Sequence, residues 1–184
     1  SGSRVKVFGP FVDADAENFE ASMGPFEEAT GIEIDYEGSG DFESQIVTRA
    51  ESGNAPDIAA FPQPGLMHVL IDDAYIADVS QIISDEDLDK AYDQSWRDMA
   101  QHGGIEGGVW YRASLKSLVW YPHPEFGDEG YTVPETWDEL ITLSNQMVDD
   151  GETPWSIGME SGGATGWVAT DWMEDIMLRT VTPE

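Results

Sequence analysis

The side chains able to do chemistry are few in kind and uneven in placement. Three histidines, His68, His102 and His123, fall in a helical segment, beside a glycine joint and between two prolines. None is read as having a metal-ligand partner one helical turn away, so no metal site is expected. There is no cysteine, which removes thiolate nucleophiles, thiolate zinc sites and disulfides together. No G-x-S-x-G elbow or phosphate-cradling Walker loop occurs, and Gly38-Ser39-Gly40 reads as a turn. Asp85-Glu86-Asp87-Leu88-Asp89 lacks the glycine and the ligand spacing of a calcium loop, and reads as a solvated helix start. With 37 acidic residues, a carboxylate pair suited to glycoside hydrolysis is easy to find and therefore carries little information. The seven tryptophans carry more: Trp96, Trp110, Trp120, Trp137, Trp155, Trp167 and Trp172 all lie in the second half. About half belong to packing; the others, near glycines and loops, can present a face to a ligand. A sugar suits such a face, because its C–H bonds form an apolar patch while carboxylates and amides take its hydroxyls.

These residues must be held by elements that the pattern makes visible. Arg4–Phe8 alternates and meets Gly9-Pro10, the mark of a strand; Ile32–Tyr36 alternates likewise, and Pro56–Phe61 is an apolar third strand. Between them lie a helix that Asp13 caps and Gly31 closes, with Gly24-Pro25 expected to kink or restart it, and a helix that Asp41 caps, through Phe42, Ile46, Val47 and Ala50. This strand–helix–strand–helix–strand rhythm predicts a parallel sheet, with ligands beyond the carboxyl ends of its strands: Gly9–Asp13, Gly38–Phe42 and Phe61–Gly65. Further on, helices are expected at 66–76 and 84–99, strands at 109–113, 115–121 and 155–159, a helix capped by Thr136 with Glu139 completing a capping box, and a last helix from near Ala164.

The 184 residues suffice for one ordinary domain or two small lobes, and a net charge of −29 argues against nucleic acid and anionic membrane surfaces as partners. The 40% hydrophobic content supports a core, and no apolar run has the length of a membrane span, so no direct membrane insertion is expected. Ser1-Gly2-Ser3 reads as a linker remnant, and the stop soon after a helix reads as the end of a fragment.

Several segments then fall into a known order. Phe26-Glu27-Glu28-Ala29-Thr30-Gly31-Ile32-Glu33-Ile34, Gly53-Asn54-Ala55-Pro56-Asp57-Ile58, Gly107-Gly108-Val109-Trp110-Tyr111 and Pro134-Glu135-Thr136-Trp137-Asp138-Glu139-Leu140 resemble the extracellular solute-binding proteins of bacterial ABC sugar importers. Glu160-Ser161-Gly162-Gly163-Ala164-Thr165-Gly166-Trp167 and Thr170-Asp171-Trp172 resemble the α-glucoside-binding branch. The resemblance implies an α/β, periplasmic-binding-protein-like fold of type II, two lobes with crossing hinge strands and an incomplete second lobe. The first lobe would span 1–113, and the crossover and start of the second 114–184. It implies an oligosaccharide ligand, held by hydrogen bonds and aromatic stacking in an interlobe cleft and passed to a membrane ABC permease, with no catalysis and no cofactor. The setting would be extracellular or periplasmic, with or without a lipid anchor. Carried onto matching positions, the ligand residues would be Phe11 and Asp13 after the first strand, Asp41, Phe61 and Gln63, Ser114 at the crossover, then Glu160, Ser161, Gly162, Trp167 and Asp171. Of these, Asp13 and Asp41 have helix capping as a rival role, and Phe61 has core packing. Lys116 is read as an ion-pair partner for an acid. Two other functions stay open: a glycoside hydrolase or lyase using a carboxylate pair, and the same fold with a non-sugar ligand.

Overall fold

The computed structural model describes residues 2–116 and 118–181, which form two compact units, one of residues 2–113 with 162–164 and one of the described residues from 114 to 161 with 165–181. The first unit is built on β1 (Arg4–Gly9), α1 (Asp13–Thr30), β2 (Glu33–Gly38), α2 (Phe42–Glu51) and β3 (Ile58–Ala59). The strands form a parallel sheet in the order β2-β1-β3, with Val5 opposite Ile34 and Val7 opposite both Tyr36 and Ile58. Parallel neighbours need a crossover, and α1 and α2 supply them. Only two of the six residues expected in the third strand pair as a ladder. The chain arrives with Asp57 accepting a hydrogen bond from the Lys6 amide (2.8 Å) and leaves with the Ala60 amide donating to Phe8 (2.8 Å).

The core of this unit is Phe8, Phe42, Ile46, Ala50 and Leu70, with Phe42 wholly buried and its ring 5.1 Å from that of Phe8. It is extended by Met67, Ile71 and Ala100. Met67, Leu70 and Ile71 come from α3 (Pro64–Asp72), which is shorter than expected and turns away at Ala74, a non-glycine residue at φ 60°. The single helix expected over 84–99 is two, α4 (Asp85–Ala91) and α5 (Gln94–Ala100), parted by extended backbone at Tyr92 and Asp93. The break lets the Arg97 guanidinium swing onto three carboxylates from two elements, Asp85 and Asp89 of α4 and Glu106 further along the chain. Arg97 and Glu106 are both buried and bonded in bidentate fashion (3.1 and 2.6 Å), which holds the guanidinium protonated far beyond its ordinary value. The Gly103-Gly104 turn, both residues at positive φ, joins β4 (Gln101–His102) to β5 (Ile105–Glu106) as an antiparallel hairpin.

Two expectations for α1 are corrected. Val12, not Asp13, is the residue before its first turn, with no side-chain cap, while Asp13 sits at φ 51°. Pro25 lies inside a continuous 18-residue helix, so the helix does not restart at Gly24-Pro25. Pro25 and Ala21 face solvent, where water can take the Ala21 carbonyl that a proline cannot pair. Gly31 ends the helix as expected, at φ 71°, its amide donating to the Glu27 carbonyl (2.8 Å).

The second unit contains α6 (His123–Asp128), α7 (Trp137–Asp149) and α8 (Trp167–Thr180), which begins three residues later than expected. The predicted capping box on α7 is present in both directions: the Glu139 amide donates to the Thr136 hydroxyl, and the Thr136 amide to the Glu139 carboxylate. That carboxylate also accepts from the Glu135 amide, and these backbone donors hold it below the ordinary glutamate value. The strands expected at 109–113, 115–121 and 155–159 are not formed among their described residues; Ser117 lies outside these. An alternating or apolar run becomes a strand only when a neighbour takes its ladder hydrogen bonds, and none does so here. No residue of α7 or α8 is buried.

Candidate functional site

In the first unit the loop after β1 is fixed from below. The Tyr36 hydroxyl, rising from β2, accepts from the Phe11 amide (2.9 Å) and donates to the Phe11 carbonyl (3.1 Å). Gly38 permits this close approach, because a Cβ there would stand 1.8 Å from the Phe11 carbonyl oxygen. The Phe11 ring lies against Phe19, Tyr36 and Tyr111 at centroid distances of 6.0, 6.3 and 6.4 Å, with the Arg112 guanidinium 4.8 Å from its centre. Burial pushes the Tyr36 and Tyr111 phenols above the ordinary tyrosine value, so both stay protonated donors at neutral pH. Thus Phe11 is brought into an aromatic group at the carboxyl end of β1, while Asp13 is exposed just beyond it.

The other residues of this unit divide by role. Gln63 caps α3, its side-chain oxygen accepting from the Gly65 and Leu66 amides at 2.5 and 3.4 Å. The half-buried Phe61 ring meets Phe42 edge-on at 5.5 Å, which ties it to the core. Asp41 occupies the position before α2 but makes no side-chain cap bond; a Cβ on Gly162 would lie 3.3 Å from its Oδ1. Asp41 and Gly162 are therefore brought together.

In the second unit the grouping is Lys116, Trp167 and Asp171. Trp167 opens α8 and Asp171 follows one turn later on the same face. The Lys116 ammonium lies 4.3 Å from the indole centre and 3.6 Å from the Asp171 carboxylate, an ion pair with a cation–π contact. Ahead of the helix the chain folds back on itself: the Ser161 amide donates to the Thr165 hydroxyl (2.9 Å) and the Gly166 amide to the Met159 carbonyl (2.8 Å). Glu160 is exposed in this loop, and Ser114 is exposed on the extended segment that carries Lys116. A separate open hollow of about 190 Å³ is lined by Trp137, Leu140, Ile141, Ser144, Trp155, Ile157 and Trp172. The Trp155 and Trp172 rings pack edge to face there at 5.2 Å.

Reasoning from the sequence missed three things here. Tyr36 alternates inward along β2, and its hydroxyl two residues before a glycine was the available signal. The sequence offers Lys116 an acidic partner without saying which, and the structure gives it Asp171. Asp72, one turn after His68, accepts from or pairs with His102 Nε2 at 3.0 Å, while the His68 and His102 rings stack at 4.8 Å. No group of three or more metal-ligating side chains is assembled among the described residues.

The parallel α/β sheet in the order β2-β1-β3 belongs to a periplasmic-binding-protein-like fold of type II, as the matches that follow establish. Residues 9–182 match the family model of the bacterial extracellular solute-binding protein, and the chain belongs to that family. It is 49% identical over 180 residues to the osmoprotective compounds-binding protein GgtB of Synechocystis, covering 98% of this chain and 43% of that protein. It is 42% identical over 189 residues to the alpha-glucosides-binding periplasmic protein AglE of Rhizobium meliloti, covering 100% of this chain and 41% of that one. The chain thus spans less than half the length of these relatives. A periplasmic solute-binding protein of Pectobacterium atrosepticum shares the fold with a TM-score of 0.67 at 16% identity, over 82% of this chain and 37% of that one. These relatives are binding proteins, and no catalytic family is indicated. The family is extracellular, and no helix among the described residues is long and apolar enough to cross a membrane.

Proposed function

We propose that this chain binds an α-glucoside or related oligosaccharide outside the cell for delivery to an ABC permease, without changing it chemically. Each unit carries groups suited to a sugar: the Phe11 group with Asp13, and Trp167 with Asp171, Glu160 and Ser161. Aromatic faces take the C–H side of a ring, and carboxylates and hydroxyls take its rim. The observation that carries this reading is the exposed indole of Trp167 beside the Asp171 carboxylate, in a chain 42% identical to a protein named for α-glucosides. Ligand bridging of the lobes would shift them toward closure, which the permease would read. Anchoring by a lipid belongs to the same proposal.

An amide NMR titration of the 184-residue chain with trehalose, maltose, sucrose and proline tests it. Saturable shifts at Phe11, Glu160 and Trp167 for a disaccharide are the expected result, with the sugar recovered intact. Shifts for proline alone would replace the sugar with another osmoprotective solute, the class named for the 49% identical relative. Released glucose would instead restore the hydrolase reading.

A further inference from the structure

We propose that Lys116 and Asp171 form a pair that reads a single ligand hydroxyl and thereby sets the chain's preference for neutral sugars. This rests on the sugar-binding function proposed above. The argument begins with the distance: at 3.6 Å the ammonium and the carboxylate attract each other but are too far apart to share a direct hydrogen bond. An oxygen atom at the apex of a bent bridge lies within hydrogen-bond reach of both groups at that separation.

Chemistry then selects the kind of oxygen. Lysine can only donate and an ionised aspartate can only accept, so the group between them must do both, which a hydroxyl does. A ligand carboxylate would meet the Asp171 charge, and a ligand ammonium would meet Lys116. The surrounding geometry keeps both arms in place. The Lys116 ammonium rests 4.3 Å from the Trp167 ring centre, and Asp171 projects from the first turns of the 14-residue α8 with its side chain 24% exposed. Nearly half of Trp167 stays exposed, so the ring that orients the lysine also offers apolar surface beside the hydroxyl.

The test compares the wild-type chain with Lys116→Met, Lys116→Arg, Asp171→Asn and the Lys116→Met/Asp171→Asn double variant. Each is titrated with trehalose, maltose and sucrose, and with monodeoxy analogues of the tightest. Lys116→Met keeps the apolar stem on the indole and removes the donor; a loss of affinity of about tenfold to a hundredfold is expected, with Lys116→Arg, which keeps a donor there, losing less. One monodeoxy analogue should bind wild type as weakly as the parent sugar binds Lys116→Met, and the double variant should lose little more than either single one. Asp171→Asn alone decides the matter if Lys116→Met loses its dispersed spectrum. Wild-type binding that neither Lys116→Met nor Asp171→Asn alters overturns this pair and leaves the proposed function standing. Absence of binding by the wild type to all three sugars overturns both.

Discussion

The two units are built from similar helices and yet differ in what those helices rest on. In the first, Phe8, Phe42, Ile46 and Leu70 are sealed between a sheet and α2 and α3. In the second, α7 and α8 bury no residue, and Trp120, Trp137 and Leu178 are 87%, 56% and 72% exposed. An amphipathic helix therefore records that a core is wanted, not that one is present. Local signals such as a cap form the helix in either setting, whereas stability comes from the face that is covered.

The largest effect that would break this comparison comes from truncating one large apolar side chain in each unit. Phe42→Ala should cost about 3–5 kcal/mol in urea unfolding, while Trp137→Ala should stay within about 0.5 kcal/mol, followed by resonances of each unit. Equal losses would mean that α7 is packed as tightly as α2. Next, Thr136→Ala should remove about 1 kcal/mol from α7, seen as faster amide exchange confined to that helix, because its cap is not backed by burial.

Tyr36→Phe keeps the ring against Phe19 (4.5 Å) but deletes both bonds to Phe11, at a cost of about 1 kcal/mol localised to the loop after β1. The pH dependence has a definite sign. The folded phenol is raised above 10.0, so its contribution is complete below pH 10.0 and is lost as pH rises through the raised value. Tyr36→Phe should reduce the alkaline loss in thermal melts and leave the part that belongs to Tyr111, whose phenol burial also raises. The smallest effect belongs to Glu139. Its lowered value means that the capping box is intact above pH 4.5 and fails only as pH falls through that lower value, which a carboxyl NMR titration of Glu139 would show.

What could be read from the residues follows the same division. β1, β2, α2, the Gly31 terminus and the Thr136–Glu139 box depend on neighbours within a few residues or on strict alternation, and all are where the pattern puts them. The strands expected at 109–113, 115–121 and 155–159 needed a partner edge, which no local pattern reveals. The division of 84–99 into two helices follows from where Arg97 must point to reach Asp85, Asp89 and Glu106, again a long-range demand. Among the candidate ligand residues, Phe11 and Trp167 owe their present surroundings to Tyr36 and Lys116, each from a distant part of the chain. Gln63 is placed by the resemblance alone, and its side-chain oxygen caps α3.

The sheet order has a consequence for how the chain can come into being. β1 is the middle strand, and its second neighbour, β3, lies about fifty residues further along, with Val7 opposite Ile58. A chain emerging from a ribosome or threading through a membrane pore amino end first cannot complete this sheet until that distant segment has followed. Closing so long a loop is slow relative to making a hairpin. Until then the edge of β1 that takes β3 stays uncovered beside Phe8, which gives a chaperone an interval to hold the segment.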